Sequence, residues 1–198
     1  MVKRNDQHYV LDDKDKAILK KLTRDPTVSD NQIAKLTRIP VKTVNRRRKQ
    51  LEEAGIMSYY ISINMGKDGT GRFLARHLYI IEFKLGFAQS RLVNEIKEEP
   101  NVRTIFTDHI YESHIAEADG RTALIMLVEG KSDEEVNEAF NTKIIPSLQK
   151  NHGVDAITNV KTLRLADPIR IFHNYILMVN MSKGRIRDDW SDNAIFVE

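Results

Sequence analysis

The stretch Ile33–Ile56, IAKLTRIPVKTVNRRRKQLEEAGI, decides the reading of this chain. Apolar positions Ile33, Ala34 and Leu36 form one short helical face. A break follows at Arg38–Pro40, then a second helical run carries Lys42, Arg46, Arg47, Arg48 and Lys49. Two short helices around a tight turn, the second one cationic, form the layout of a helix-turn-helix, whose second helix lies in the DNA major groove. Pro40 suits a helix start, where its missing N–H is no loss. Gly55 suits the left-handed residue that closes a helix.

At about 100° per residue, Val41, Val44 and Leu51 fall on one side of the second helix, which must then be buried. Lys42, Arg46 and Lys49 fall opposite, bordered by Thr43 and Asn45. Arg47 and Arg48 sit on the flanks, where a long aliphatic stem covers apolar surface while the head reaches a phosphate or a carboxylate. These positions predict contacts to double-stranded DNA from Lys42, Thr43, Asn45, Arg46, Arg47 and Lys49. The planar fork of Arg46 matches guanine O6 and N7, and the Asn45 amide matches adenine N6 and N7. Thr43 suits a phosphate or a thymine methyl. For Lys42 and Lys49, phosphate contact alone is an equal reading.

Working outward, Asp12 is a helix N-cap, with Asp13 and Asp15 near the positive end of the dipole. Ile18, Leu19 and Leu22 give that helix its apolar face, and Arg24–Pro26 close it. Ser29 with Gln32 forms a capping-box pair that opens the next helix. Ile56–Asn64 alternates and is rich in β-formers, which predicts a strand leaving the helical domain.

The 198 residues contain no cysteine, so there is no disulfide scaffold, thiolate metal site or cysteine nucleophile. No run of 18 apolar residues suggests a membrane span, and MVKRNDQHYV lacks a signal-peptide core, so the cytoplasm is the expected location. The net charge of +3 conceals an asymmetry. Residues 1–60 hold 14 Lys and Arg against 8 Asp and Glu, while residues 61–198 hold 17 against 20. A basic first third points to one part of the chain as the partner of a polyanion.

The remainder predicts an α+β unit. Phe73–Leu85 reads as a strand, Ser90–Glu99 as a helix, and Val102–Ile110 and Arg121–Glu129 as strands. A helix capped by Ser132 and Glu135 follows, with Val136, Phe140 and Ile144 inward and Pro146 ending or kinking it. Asp155–Leu165 reads as the last strand. The order β-α-β-β-α-β is the ferredoxin-like unit, an antiparallel sheet with both helices on one face. The expected division is a helix-turn-helix domain over 1–60, a linking strand and Gly-rich linker over 61–74, the αβ domain over 75–167 and an extension over 168–198. In the extension, Ile169–Val179 is apolar enough for a strand or docking segment, the tail from Ser182 is polar, and Trp190 reads as a loosely packed residue.

Leu11–Leu165 resembles the Lrp/AsnC (feast/famine) transcription regulators of bacteria and archaea. The likeness rests on LDDKDKAILKKLTRD (11–25), QIAKLTRIPVKTVNRRRKQLEEAGIMSYY (32–60) and, more weakly, NHGVDAITNVKTLRL (151–165). It implies a winged or winged-like DNA-binding domain, a C-terminal αβ domain that makes a homodimer and higher assemblies, and an amino-acid-like effector. Arg47 matches the family's recognition-helix arginine. The sequence departs from the pattern at the turn glycine, which is Arg38, at the helix-opening serine, which is Pro40, and at a usually apolar position, which is Arg48. The family's Gly-x-x-Asp segment aligns with Gly120 and Ala123, so the implied effector set is Gly120, Thr122 and Ala123, with its carboxylate position apolar. HIYESHIAEAD (109–119) is longer than the family's segment.

Other chemistry finds less support. His109, Glu112, His114 and Glu117 share no common face on a strand or a helix, so no metal is expected. GKDGTG lacks the spacing of a phosphate cradle, and no cofactor or enzymatic acid–base set is expected. Besides a sequence-specific regulator, two alternatives stand: an architectural DNA binder with little sequence choice, and a small-molecule sensor or scaffold that binds DNA weakly.

Overall fold

The computed structural model describes residues 9–61, 75–98 and 109–198. The chain divides into two compact units, Met1–Ser62 with Pro168–Glu198, and Ile63–Asp167. The fold is α+β.

Three helices build the first part of the first unit: α1 (Asp13–Arg24), α2 (Asp30–Thr37) and α3 (Val41–Glu53). Asp12 caps α1 reciprocally with Asp15, and Ser29 caps α2 reciprocally with Gln32, so the first orphan N–H groups of both helices are satisfied. Ile18 and Leu22 of α1, Ile33 of α2, Ile39 of the turn and Val44 of α3 form one buried core. The turn between α2 and α3 places Arg38 in the left-handed region, at φ 59°. At the end of α3, Gly55 (φ 68°) allows its own N–H to reach the Glu52 carbonyl and that of Ile56 to reach Leu51. This is a Schellman closure, which glycine favours because it lacks a Cβ.

The strand expected over Ile56–Asn64 does not form within the described part, Ile56–Ile61. A strand needs a ladder partner, and after Met57 this segment has none among the described residues, with Tyr60 88% and Ile61 89% exposed. The linker GKDGTG lies outside the described residues.

The second unit contains β1 (Ala75–Phe83), α4 (Gln89–Glu98), β2 (Ile110–Ala118), β3 (Arg121–Gly130), α5 (Asp133–Ala139), a π-helical turn (Phe140–Ile144), α6 (Ile145–His152) and β4 (Ile157–Arg164). The sheet order is β2-β3-β1-β4, antiparallel throughout. Tyr79, Ile81 and Phe83 of β1 and Leu124, Met126 and Val128 of β3 face Leu92, Val136, Phe140, Ile144 and Leu148 of the helices. The two helical segments therefore cover one face, as the ferredoxin-like order requires.

The second strand of the described sheet is Ile110–Ala118; of the expected strand Val102–Ile110, residues 102–108 lie outside the described residues. YESHIAEA carries no apolar alternation, because β2 is an edge strand whose residues are largely exposed. Helical structure also continues past Pro146 to His152. The N–H of Ile145 reaches back to Phe140, five residues away, which widens the helix one residue before the proline and lets α6 begin with Pro146 in its first turn.

The extension returns to the first unit. Hairpin β5 (Arg170–Ile171) and β6 (Tyr175–Ile176) is followed by hairpin β7 (Met181–Ser182) and β8 (Arg185–Ile186), then a 3-10 turn at Asp192–Ala194. Asn180, 1% exposed, ties the hairpins together. Its side chain accepts from the Ile176 N–H and donates to the Asn174 carbonyl, both at 2.8 Å, and its own carbonyl accepts from Arg187. Short polar strands of this kind hold through local hydrogen bonds and through what they dock on. Here that surface is α1: Tyr175 donates to the Thr23 carbonyl, Arg185 pairs with Asp25, and Lys21 and Arg24 converge on Asp192. Trp190 is half-buried, and its carbonyl accepts from Arg24.

Candidate nucleic-acid interface

The surface of α3 follows from its phase. Val44 and Leu51 are fully buried, which turns Lys42, Asn45, Arg46 and Lys49 to solvent. Thr43 is half-buried beside them. Five basic residues occur within eight positions, but the structure divides them into two groups with different partners.

Arg47 and Arg48 are engaged within the domain. Arg47 lies 2.6 Å from the Asp12 carboxylate and 3.3 Å from that of Asp15, which is 0% exposed, with Tyr9 also in reach. This places Arg47 across the N-terminal end of α1. The Asp12 carboxyl sits below its ordinary range because the Asp15 backbone N–H donates to it, with Arg47 adding to that effect against the opposing influence of burial. Arg48 lies 2.7 Å from Asp30 and donates to the Tyr59 hydroxyl at 2.8 and 3.1 Å. Asp30 also accepts from the Asn45 amide at 2.9 Å. Burial pushes the Asp30 carboxyl up, but the hydrogen bonds from Asn45 and Arg48 outweigh it and hold it low.

Lys42, Arg46 and Lys49 have no carboxylate partner among the described residues; Arg46 makes a 3.4 Å hydrogen bond to Gln50 along the helix. Ser29, Asp30, Asn31, Val41, Lys42, Asn45 and Arg48 line a shallow cleft between the start of α2 and the first turns of α3. Asp30 thus holds Asn45 by its amide nitrogen. Sequence spacing gave no sign that Asp30 or Tyr59 shapes this surface, because both reach α3 only through the tertiary fold.

The remaining expected site residues lie in the second unit. Gly120 is at the tip of the β2–β3 hairpin, with φ 74°. Thr122 is buried and donates to the Phe87 carbonyl at 2.8 Å. Ala123, 1% exposed, is the next residue of β3. Successive strand residues point to opposite faces, so the side chains of Thr122 and Ala123 do not meet. His114 pairs with Glu112 at 2.7 Å on an exposed edge, while His109 lies against the Glu129 carbonyl. No group of three potential metal ligands occurs among the described residues, and no described helix is long and apolar enough to cross a membrane.

A helix-turn-helix with a cationic second helix, on a chain that also carries a split βαβ sheet, defines a DNA-binding regulator rather than an enzyme. The comparisons agree. The family model for winged helix-turn-helix DNA-binding matches residues 11–56. An uncharacterized HTH-type transcriptional regulator of Pyrococcus abyssi is 30% identical over 153 residues, covering 76% of this chain and 90% of that one. Among solved structures, E. coli AsnC superposes with a TM-score of 0.57 at 18% identity, covering 82% of this chain and 97% of that one. A transcriptional regulator of Neisseria meningitidis in complex with L-Met superposes with a TM-score of 0.58 at 14% identity, covering 82% and 94%. The chain belongs to the HTH-type transcriptional regulators, and its fold is that of the solved AsnC regulator.

Proposed function

We propose that this regulator selects its DNA sites by sequence, with Lys42, Thr43, Asn45, Arg46 and Lys49 of α3 as the reading surface and with two copies engaging two half-sites. The division of α3 carries the reading. Arg47 and Arg48 are neutralised by Asp12, Asp15 and Asp30, so the charge left outward is the Lys42–Arg46–Lys49 face, with Asn45 at its edge. Arg46 is the base reader and the lysines hold phosphates. Arg47 fixes the angle of α3 against α1 and acts on DNA through that orientation.

Dimerisation is assigned to the open face of the sheet. Leu78 of β1 stands opposite Leu127 of β3 and Leu163 of β4, and Ile80 stands opposite Ile125. These side chains lie on the face away from the helices, where the described chain covers none of them fully. An apolar strip of this kind suits a second copy, and a dimer presents two reading helices at a spacing of whole helical turns. For the effector, a relative of the same fold holds L-Met. Gly120, Thr122 and Ala123 remain the assigned segment, with the backbone of the hairpin rather than the alanine side chain as its polar part.

Selection from a pool of genomic fragments in the presence of random competitor tests the reading. Recovery of a few fragments carrying paired half-sites supports it. Uniform recovery would favour the architectural alternative.

A further inference from the structure

We propose that hairpin β7–β8 is a second DNA-contacting element, in which Lys183 places its ammonium on a backbone phosphate outside the footprint of α3. This rests on the reading of α3 given above. Met181 pairs with Ile186 and Ser182 with Arg185, so Lys183-Gly184 is a two-residue loop. Both residues have positive φ, 51° and 79°, the type I′ geometry. Asn-Gly or Asp-Gly is the pair that suits such a loop, and the β2–β3 hairpin of this same chain uses Asp119-Gly120. A lysine in the first position sits against the backbone preference, so the turn itself does not explain its presence.

The hairpin is anchored on the turn between α1 and α2. Ile186 is 2% exposed, and the Arg185 guanidinium lies 3.0 Å from the Asp25 carboxylate and 3.0 Å from the Thr27 hydroxyl. Asp25 and Thr27 belong to the turn that leads directly to Ser29 and the first turn of α2. That turn of α2 borders the Lys42–Asn45 cleft. The hairpin is therefore anchored on the turn that precedes α2. Of the acids nearby, Asp25 is engaged by Arg185, Asp189 by Arg187, and Asp192 by Lys21 and Arg24, while Asp188 is exposed and has no ion pair among the described residues. Lys183 is exposed and has no carboxylate within ion-pair distance among the described residues.

The test compares the full chain with Lys183→Asn and Lys183→Arg on one DNA fragment across a salt series, with phosphate-ethylation interference on the same complexes. Asparagine keeps or improves the turn, so its effect on DNA is not a folding effect. The expected result is a salt slope lower by about 0.9 per engaged hairpin for Lys183→Asn. The same variant loses an interference signal outside the α3 footprint, its melting temperature stays at or above that of wild type, and Lys183→Arg restores both DNA readouts. Unchanged slope and footprint in Lys183→Asn, with wild-type binding intact, would overturn the hairpin's role while leaving α3 in place. Failure of the wild-type chain to bind DNA would overturn both.

Discussion

Arg24 and Asp192, separated by 168 positions, are joined side by side: the guanidinium Nη2 and Nε lie 2.6 and 3.2 Å from one carboxylate oxygen. Lys21 takes the other oxygen at 2.5 Å. The remaining donors of Arg24 go to the carbonyls of Arg187 and Trp190, both at 2.5 Å. Lys21 and Arg24 thus hold the extension by a single acid and two backbone carbonyls.

This relationship predicts an acid-sensitive dock. The Lys21 hydrogen bond, opposed by burial and reinforced by Arg24, holds the Asp192 carboxyl below its ordinary value of 3.8. A carboxyl lowered in the folded state contributes stability that is fully present above 3.8 and is lost as pH falls through the lowered value. Trp190 is the single tryptophan of the chain, so its emission reports the dock. Its emission is expected to move toward that of a solvated indole as pH drops below the carboxylate range. In Asp192→Asn that change is expected already at neutral pH. An emission that stays constant until the whole chain unfolds would contradict the account.

Asn180 supports the same extension from inside. Removing its amide leaves the half-buried Ile176 N–H and Asn174 carbonyl without these partners, at a cost of about 1 kcal/mol. Asn180→Ala should make residues 168–198 the first segment cut in limited proteolysis, with the second unit unaffected. Cleavage at the wild-type rate would show that the hairpins hold without it.

Much of the helical domain was legible in the sequence because its signals are local. Asp12, the Ser29–Gln32 pair, Pro40 and Gly55 mark helix ends through bonds spanning a few residues, and each forms where its chemistry places it. The phase of α3 likewise separates Arg46 from Arg47. What the sequence hides is non-local. β2 is an exposed edge with no apolar period, and the extension docks through pairs such as Tyr175–Thr23, whose spacing of 152 positions no pattern announces. The Asp30 hold on Asn45 and Arg48 is hidden for the same reason.

Adjacent arginines of α3 should separate stability from DNA affinity. Arg47→Ala leaves the fully buried Asp15 carboxylate short of a donor and should destabilise the first unit by about 1–3 kcal/mol in urea titration. Arg46→Ala removes an exposed side chain and should stay within about 0.5 kcal/mol of wild type. Equal losses of stability in the two variants would refute the division of the helix.

The helix-turn-helix turn carries removable strain. Arg38 occupies the left-handed region with an exposed side chain, and Arg38→Gly should raise stability by about 0.5–1 kcal/mol. A thermal melt reads this directly. A lower melting temperature would mean that the arginine stem covers more apolar surface than its exposure suggests.

The central claim is that α3 reads sequence through Arg46 while its lysines hold phosphate. Competition fluorescence anisotropy on one selected site and one scrambled site, at fixed salt, tests it most directly. The account predicts that Arg46→Ala weakens the selected site by about 1–3 kcal/mol and narrows its advantage over the scrambled site, while Lys49→Ala weakens both sites equally. An Arg46→Ala variant that loses the same affinity on both sites, with the preference between them intact, would contradict it.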